Sequence, residues 1–231
     1  MTIAGYDPSA GAGVLADVKT FERLRCYGFA VQTANTIQTE NQFIKPNWIP
    51  VDQILEQLNL IQQSHHFPWV KIGLVESLAV LKQIVDCLKE NGESRIIWDP
   101  VLSASAGYDF DHDLAALEDV LAECYLVTPN RDEAQRMMAG EVELAANKMS
   151  GHCKILVTSS GKDELFEKGS KRVFKAKPGT YFEKHGSGCV LSSAITAHLA
   201  LGYPLQKSIL RSKRYIERYL ASSPSLIGYH S

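Results

Sequence analysis

The stretch WVKIGLVESLAVLKQIVDCLKENGESRIIWDP, Trp69 to Pro100, reads as strand, helix, strand. Trp69–Ile72 and Arg95–Trp98 are short apolar runs rich in β-branched and aromatic residues, the composition of buried strands. Between them Leu78, Leu81, Val85 and Leu88 recur three and four apart, the spacing of one helical face. A strand, a helix and a strand of this length make a right-handed crossover with the two strands parallel. The same alternation extends in both directions. Upstream, strands Thr2–Ala4 and Phe29–Asn35 flank a helix with Val14, Val18 and Phe21 on one face, and Val51, Ile54, Leu55, Leu58 and Ile61 mark another helix. Downstream, helices are expected at Asp113–Leu121, Asp132–Met138 and Val142–Met149, with strands at Tyr125–Val127 and Lys154–Val157. Glu164–Phe166 and Arg172–Lys175 read as a hairpin, and helices Val190–Leu201 and Leu205–Leu220 complete the series. The pattern predicts an α/β fold, a mostly parallel sheet covered by helices on both faces. No repeat or linker interrupts it, so residues 1–231 read as one domain.

Composition narrows the function. Hydrophobic residues make up 45% and charged residues 22%, values ordinary for a soluble globular protein. The net charge of −2 and the lack of basic runs argue against nucleic acid as a partner. No apolar run approaches membrane-spanning length and no leader pattern opens the chain, so no membrane role is expected. Cys26, Cys87, Cys124, Cys153 and Cys189 are scattered and odd in number, without a C-x-x-C pair. They point to a reduced compartment, the cytoplasm.

In open sheets of this kind, ligands bind beyond the carboxyl ends of the strands. Those ends carry Gly5 and the glycine-rich turn to Gly13, then Gln38, Gly73-Leu74, Asp99-Pro100, Thr128-Pro129-Asn130 through Glu133, and Thr158-Ser159. Asp99, Asn130 and Glu133 form a carboxylate and amide set suited to hydrated magnesium. The turn KHGSGC, Lys184–Cys189, leads straight into the helix at Val190. A helix start has unpaired N–H groups and a positive dipole end, and glycines let a phosphate come close. A thiol there is expected to have a lowered pKa and to serve as a proton acceptor.

One pattern misleads. Gly11-Ala-Gly13-Val-Leu-Ala16 matches the dinucleotide fingerprint after a strand. That fingerprint also requires an acid near the end of the next strand, where Asn35, Thr36 and Gln38 stand instead. A P-loop is absent as well.

TIAGYDPSAGAGVLADVKTF (Thr2–Phe21), Asp99-Pro100-Val101, Thr128-Pro129-Asn130 with Glu133, and HGSGC (His185–Cys189) together resemble the hydroxymethylpyrimidine/phosphomethylpyrimidine kinases of thiamine synthesis. The likeness covers nearly the whole chain and keeps the family's motif order. It implies the ribokinase-like three-layer α/β/α sandwich, with ATP and Mg2+ as cofactors, and a homodimer. It implies that Gly186, Ser187 and Gly188 form an anion hole and that Cys189 is the base facing the substrate hydroxymethyl group. It assigns Asn130, Glu133, Thr158 and Ser159 to the ATP phosphates, and Asp99 with Glu133 to magnesium through water. Gly5, Asp17, Gln38 and Leu74 would line the pocket for a small pyrimidine or pyridine alcohol. An amide such as Gln38 suits an aminopyrimidine because it both donates and accepts.

Three departures keep alternatives open. Thr158-Ser159-Ser160 stands where these kinases place a lysine and two glycines. The loss of that lysine implies slower turnover, weaker ATP binding, or compensation from elsewhere, with Lys162 and Lys184 as candidates. Some pyridoxal kinases carry a similar Thr-Ser, so vitamin B6 remains a candidate substrate. Tyr6 replaces a smaller residue and is expected to narrow the pocket. The short stretch between Lys162 and Lys184 leaves little room for a cover over the nucleotide. A pyrimidine kinase, a pyridoxal-type kinase and a ligand-binding protein with weak catalysis all remain.

Overall fold

A computed structural model describes residues 1–90, 92, 94–102, 114–138 and 140–231. The strands are β1 (Thr2–Tyr6), β2 (Ala30–Gln38), β3 (Phe43–Trp48), β4 (Trp69–Ile72), β5 (Arg95–Trp98), β6 (Cys124–Val127), β7 (Lys154–Val157), β8 (Lys162–Glu167) and β9 (Ser170–Lys175). The helices are α1 (Gly13–Arg23), α2 (Val51–Gln62), α3 (Leu78–Glu90), α4 (Leu117–Glu123), α5 (Arg131–Met138), α6 (Val142–Met149), α7 (Ser187–Ala200) and α8 (Leu205–Ala221). The strands join one sheet in the order β3-β2-β1-β4-β5-β6-β7-β8-β9. From β2 to β7 every pairing is parallel, and β3, β8 and β9 add antiparallel margins.

The decisive unit of the sequence appears as read. Trp69 pairs with Arg95 and Ile72 with Trp98, in continuous parallel register. The helix between them buries Leu78, Leu81, Ile84, Val85 and Leu88. It belongs to a layer with α2, α4, α5 and α6, whose apolar side chains share one core with Ile3, Ile72, Ile96 and Val127. On the other face α1, α7 and α8 pack over Ile97, Leu126 and Leu156. Each fully buried aliphatic side chain contributes roughly 1.5–3 kcal/mol.

Three elements depart from expectation. β3 was not foreseen. Its sequence FIKPNW has a proline and two polar residues, and only Phe43 is buried. Such a strand is tolerated at the sheet margin, where a missing donor costs nothing. In α7 the expected face of Leu191, Ala194, Ile195, His198 and Leu199 becomes burial of every residue from Val190 to Leu199. The helix is wedged between the sheet, α1 and α8, so its period carries little signal. The helix expected over Asp113–Leu121 is seen as α4 from Leu117, and Asp113 itself lies outside the described residues.

Candidate active site

The carboxyl ends of the parallel strands open into a cavity of about 620 Å³. Gly5, Asp7, Gln38, Leu74, Asp99, Thr128, Asn130, Glu133, Thr158 and Ser159 reach it from one side, and Lys184 through Cys189 from the other. The sequence-expected residues therefore converge, with one exception treated below.

Two helix starts face this space. Neither α1 nor α7 has a side-chain cap hydrogen bond at its N-cap, Ala12 or Gly186. Their first N–H groups remain available, and both dipoles favour an anion between them. The first backbone bond of α7 runs from Val190 N to Gly186 O at 3.0 Å, which leaves the Ser187, Gly188 and Cys189 amides without helical acceptors. The Gly13 amide at the start of α1 points at the Cys189 sulfur. Gly186 has φ +72°, and a Cβ there would lie 2.1 Å from Gly11 O. Only glycine lets the two turns pack backbone against backbone. Gly13 repeats the device, with φ +58° and a Cβ position 2.1 Å from Gly5 O.

His185 and Asp7 fasten these turns together. His185 Nε2 lies 2.9 Å from Asp7 Oδ2, and Asp7 also accepts from Ser9 N, Ser9 Oγ and Ala12 N. Burial opposes ionisation of Asp7, but the hydrogen bonds from His185, Ser9 and Ala12 hold its pKa below the ordinary value. Asp7 and His185 are 178 positions apart, so no local pattern announces the pair.

Asp17 does not line the cavity. It is fully buried behind it, accepting from Thr2 Oγ1 at 2.6 Å, Ser193 Oγ at 2.6 Å and Lys71 Nζ at 2.9 Å. Both its oxygens are engaged by the protein and it is absent from the cavity lining, which corrects its expected place in the substrate pocket. Lys71, which no sequence motif marks, lies 3.9 Å from Asp99 as well. Burial works against its charge, but Asp17, Cys189 and Asp99 outweigh it and raise its pKa. The signal was present: a lysine within a strand buried on both faces needs a partner.

The thiol departs from expectation too. Cys189 keeps some exposure to the cavity. Burial nevertheless pushes its pKa up to about 12; Lys71 lowers it, Asp99 and Asp17 raise it, and the Gly13 amide lowers it. The helix start was expected to favour the thiolate, and desolvation with two carboxylates wins instead. Without ligand the group is a neutral thiol.

Asn130 and Glu133 form a capping box for α5. Asn130 N donates to Glu133 Oε2 at 2.8 Å and Glu133 N to Asn130 Oδ1 at 2.9 Å. Glu133 remains part of the cavity wall with its pKa raised to about 8, by burial first and then by Asp99. Burial also raises Asp99, which accepts from Ser192 Oγ at 3.0 Å and Thr128 Oγ1 at 3.4 Å. Two buried carboxylates that repel one another welcome a divalent cation. Among the described residues, no group of three or more His, Cys, Asp or Glu side chains could hold one alone.

The acceptor end is apolar with one amide. Phe43 and Leu74 pack together with Trp48 and Val101 beneath the hairpin of β2 and β3. Gln38 Nε2 donates to Thr36 Oγ1 at 2.8 Å, and Thr36 Oγ1 donates to Tyr6 O at 2.7 Å. Tyr6 is not among the lining residues, so the narrowing expected from it does not occur. At the far end the segment after β9 walls the cavity with Ala176, Tyr181, Phe182 and Glu183. A short chain has therefore not left that end uncovered.

The phosphomethylpyrimidine kinase family model matches residues 7–230. The chain belongs to that family. A hydroxymethylpyrimidine/phosphomethylpyrimidine kinase of Rhizobium meliloti is 32% identical over 98% of this chain and 91% of its own length. The crystal structure of a phosphomethylpyrimidine kinase from Clostridium difficile 630 superposes with a TM-score of 0.78 at 29% identity, covering 93% of this chain and 97% of that one. A Bacillus subtilis pyridoxal kinase solved as an ADP complex gives 0.86 at 26% identity, covering 99% and 95%. The chain spans about half the length of two bifunctional thiamine-biosynthesis relatives, 55% and 48%. The fold is the ribokinase-like α/β/α sandwich of this family and its pyridoxal kinase neighbours.

Proposed function

We propose that this chain is a phosphotransferase that moves the γ-phosphoryl of ATP onto the hydroxymethyl group of 4-amino-5-hydroxymethyl-2-methylpyrimidine, or onto the phosphate of its monophosphate. One observation carries the reading: two uncapped helix starts and a thiol meet in the same cavity as an amide-bearing apolar pocket. The substrate oxygen attacks the γ-phosphorus, the bond to the β–γ bridging oxygen breaks and ADP leaves. For a hydroxymethyl substrate, Cys189 loses its own proton to solvent and, as thiolate, takes the hydroxyl proton, a state that Lys71 and the Gly13 amide favour. Phosphoryl transfer asks mainly for alignment and charge stabilisation. The amides of Ser187, Gly188 and Cys189 stabilise the transferring oxygens. The Gln38 amide pairs with the polar edge of the ring, while Phe43 and Leu74 cover its apolar face. Lys71 favours the thiolate from beneath. Magnesium, when bound, neutralises phosphate charge; Asp99 and Glu133 would hold it through water. Asn130, Thr158 and Ser159 line the cavity and would face the ATP phosphates.

Phosphorylation of pyridoxal is the second reading, favoured by Thr158-Ser159 and by the closeness of the pyridoxal kinase fold. A coupled ATP assay against hydroxymethylpyrimidine, its monophosphate and pyridoxal separates the two. If none of the three stimulates ATP turnover, the enzyme reading fails and a ligand-binding role replaces it. We assign the chain to the cytoplasm, in line with five free cysteines and with no described helix long and apolar enough to cross a membrane. A single domain and a homodimer complete the proposal, and light scattering tests the latter.

A further inference from the structure

Among the described residues three lysines are buried: Lys71, Lys184 and Lys213. Two of them are neutralised. Lys71 Nζ lies 2.9 Å from Asp17, and Lys213 Nζ lies 2.7 Å from Asp163. Lys184 is different. Its Nζ donates to the backbone carbonyls of Ser223 at 2.6 Å and Ser225 at 2.8 Å. Among the described residues no carboxylate lies within ion-pair distance of it. The residue is 3% exposed and lines the cavity, immediately before the anion-holding turn. Burial lowers its pKa, with no acidic group acting in the other direction.

A buried charge without a counterion is costly, and it persists where a ligand supplies the missing charge. Next to it, His185 Nδ1 is the buried side-chain atom that finds no hydrogen-bond partner among the described residues. Two consecutive residues thus leave polar capacity unused at the same edge of the cavity. Lys162, the other candidate to replace a lysine at Thr158, is spent on Glu164 at 3.0 Å and does not line the cavity.

We infer that Lys184 is a phosphate-binding residue of this cavity, held in position by the backbone carbonyls of Ser223 and Ser225. The choice of phosphate as the anion rests on the phosphotransfer reading above. The C-terminal segment acts as its mount. His185 N donates to Leu226 O at 3.0 Å, and Ser223 Oγ donates to Ile227 O at 2.7 Å, so the segment is tied both to the turn and to itself. The phosphate belongs either to the nucleotide or to a phosphorylated acceptor, and the two are separable.

Calorimetric titration of tripolyphosphate, ADP and hydroxymethylpyrimidine monophosphate into wild type, Lys184→Met and Lys184→Arg tests this. The methionine variant should bind tripolyphosphate and ADP about 10–100-fold more weakly, the loss of one charge-assisted contact. The arginine variant should recover much of that affinity. Binding of unphosphorylated hydroxymethylpyrimidine should stay unchanged, and the melting temperature should move little because relief of the uncompensated charge offsets the loss of the two bonds to carbonyls. A loss confined to the pyrimidine monophosphate supports the same residue with the acceptor as the phosphate source. Unchanged affinity for all three phosphates overturns the inference. So does a general loss that includes unphosphorylated pyrimidine and accompanies a lowered melting temperature and release of the C-terminal segment to protease, since that outcome marks a purely structural lysine. Lys184-dependent tripolyphosphate binding without turnover of any substrate would sink the proposed activity and leave the phosphate site standing.

Discussion

Beneath Cys189 the buried charges answer one another, whereas across the cavity wall they do not. Asp17, Lys71, Thr2 and Ser193 form a closed set, each polar atom used within the protein. On the wall, Glu133 and Asp99 repel one another with only a 3.9 Å approach of Lys71 to Asp99, and Lys184 meets two carbonyls and the Phe182 ring but no carboxylate. The closed set fixes where the sulfur and the Asp99 carboxylate stand. The open set awaits groups of opposite charge, and stability is sacrificed for that readiness. The difference separates residues that position from residues that bind, although both are buried and ionisable.

The largest effect should come from the sulfur itself. Cys189→Ala is expected to lower kcat by about 10²–10⁴-fold, the range for loss of a positioned proton acceptor. The KM for hydroxymethylpyrimidine should change only a few-fold, because Gln38, Phe43 and Leu74 remain. An unchanged rate would remove the thiol from the chemistry and leave Asp99 as the candidate base. Next comes the closed set. Lys71→Met leaves Asp17 buried without its cation, at a cost of about 3–5 kcal/mol in urea unfolding. Adding Asp17→Val should return much of that loss. If the double variant is no more stable than the single one, the pair is not a closed unit and the contrast with Lys184 weakens.

Gly186→Ala tests the contact between the two turns. Its positive φ and a Cβ 2.1 Å from Gly11 O together predict a loss of about 2 kcal/mol or more. Thermal unfolding measures the loss. ADP binding should weaken too, because the amides of α7 would shift away from those of α1. A variant as stable as wild type would mean that the turns yield, and that their convergence is not what shapes the anion site.

Much of the frame was legible because the parallel strands are short apolar runs and α3 and α8 are amphipathic. The limits of β4, β5 and β7 follow directly from those runs. β3 was hidden by Lys45-Pro46-Asn47, residues that only a sheet margin accepts. The residues lining the site were also legible, since they occupy strand ends. Their electrostatics were not. A helix start argues locally for a low thiol pKa, but desolvation and the nearness of Asp17 and Asp99 exist only after folding. The same holds for Asp17, which looks like a pocket residue until Lys71, 54 positions later, is brought against it. Lys184 carried half of its message in sequence, as a lysine beside a glycine turn. The other half, its want of a carboxylate, needed the fold.

The smallest predicted effect concerns the mount of Lys184. His230 packs against Tyr219 with ring centroids 4.9 Å apart, and its Nδ1 lies 2.8 Å from the Tyr215 hydroxyl. Burial, then Lys19, depresses its pKa to about 4, against about 6.5 in an unfolded chain. Between those values the unfolded chain takes up a proton that the folded chain refuses. The stability tied to this group is therefore complete above pH 6.5 and is lost as pH falls toward 4. The melting temperature should drop by a few degrees across that window, and His230→Phe, which keeps the ring packing, should flatten the drop. Because the same segment holds Lys184 through Ser223 and Ser225, ADP affinity should fall over the same window more steeply in wild type than in the phenylalanine variant. Parallel ADP titrations of the two proteins at pH 6.5 and 5 decide the matter. Equal slopes would mean that the end of the segment loosens without moving its carbonyls, and that the lysine is held by the first residues after α8 alone.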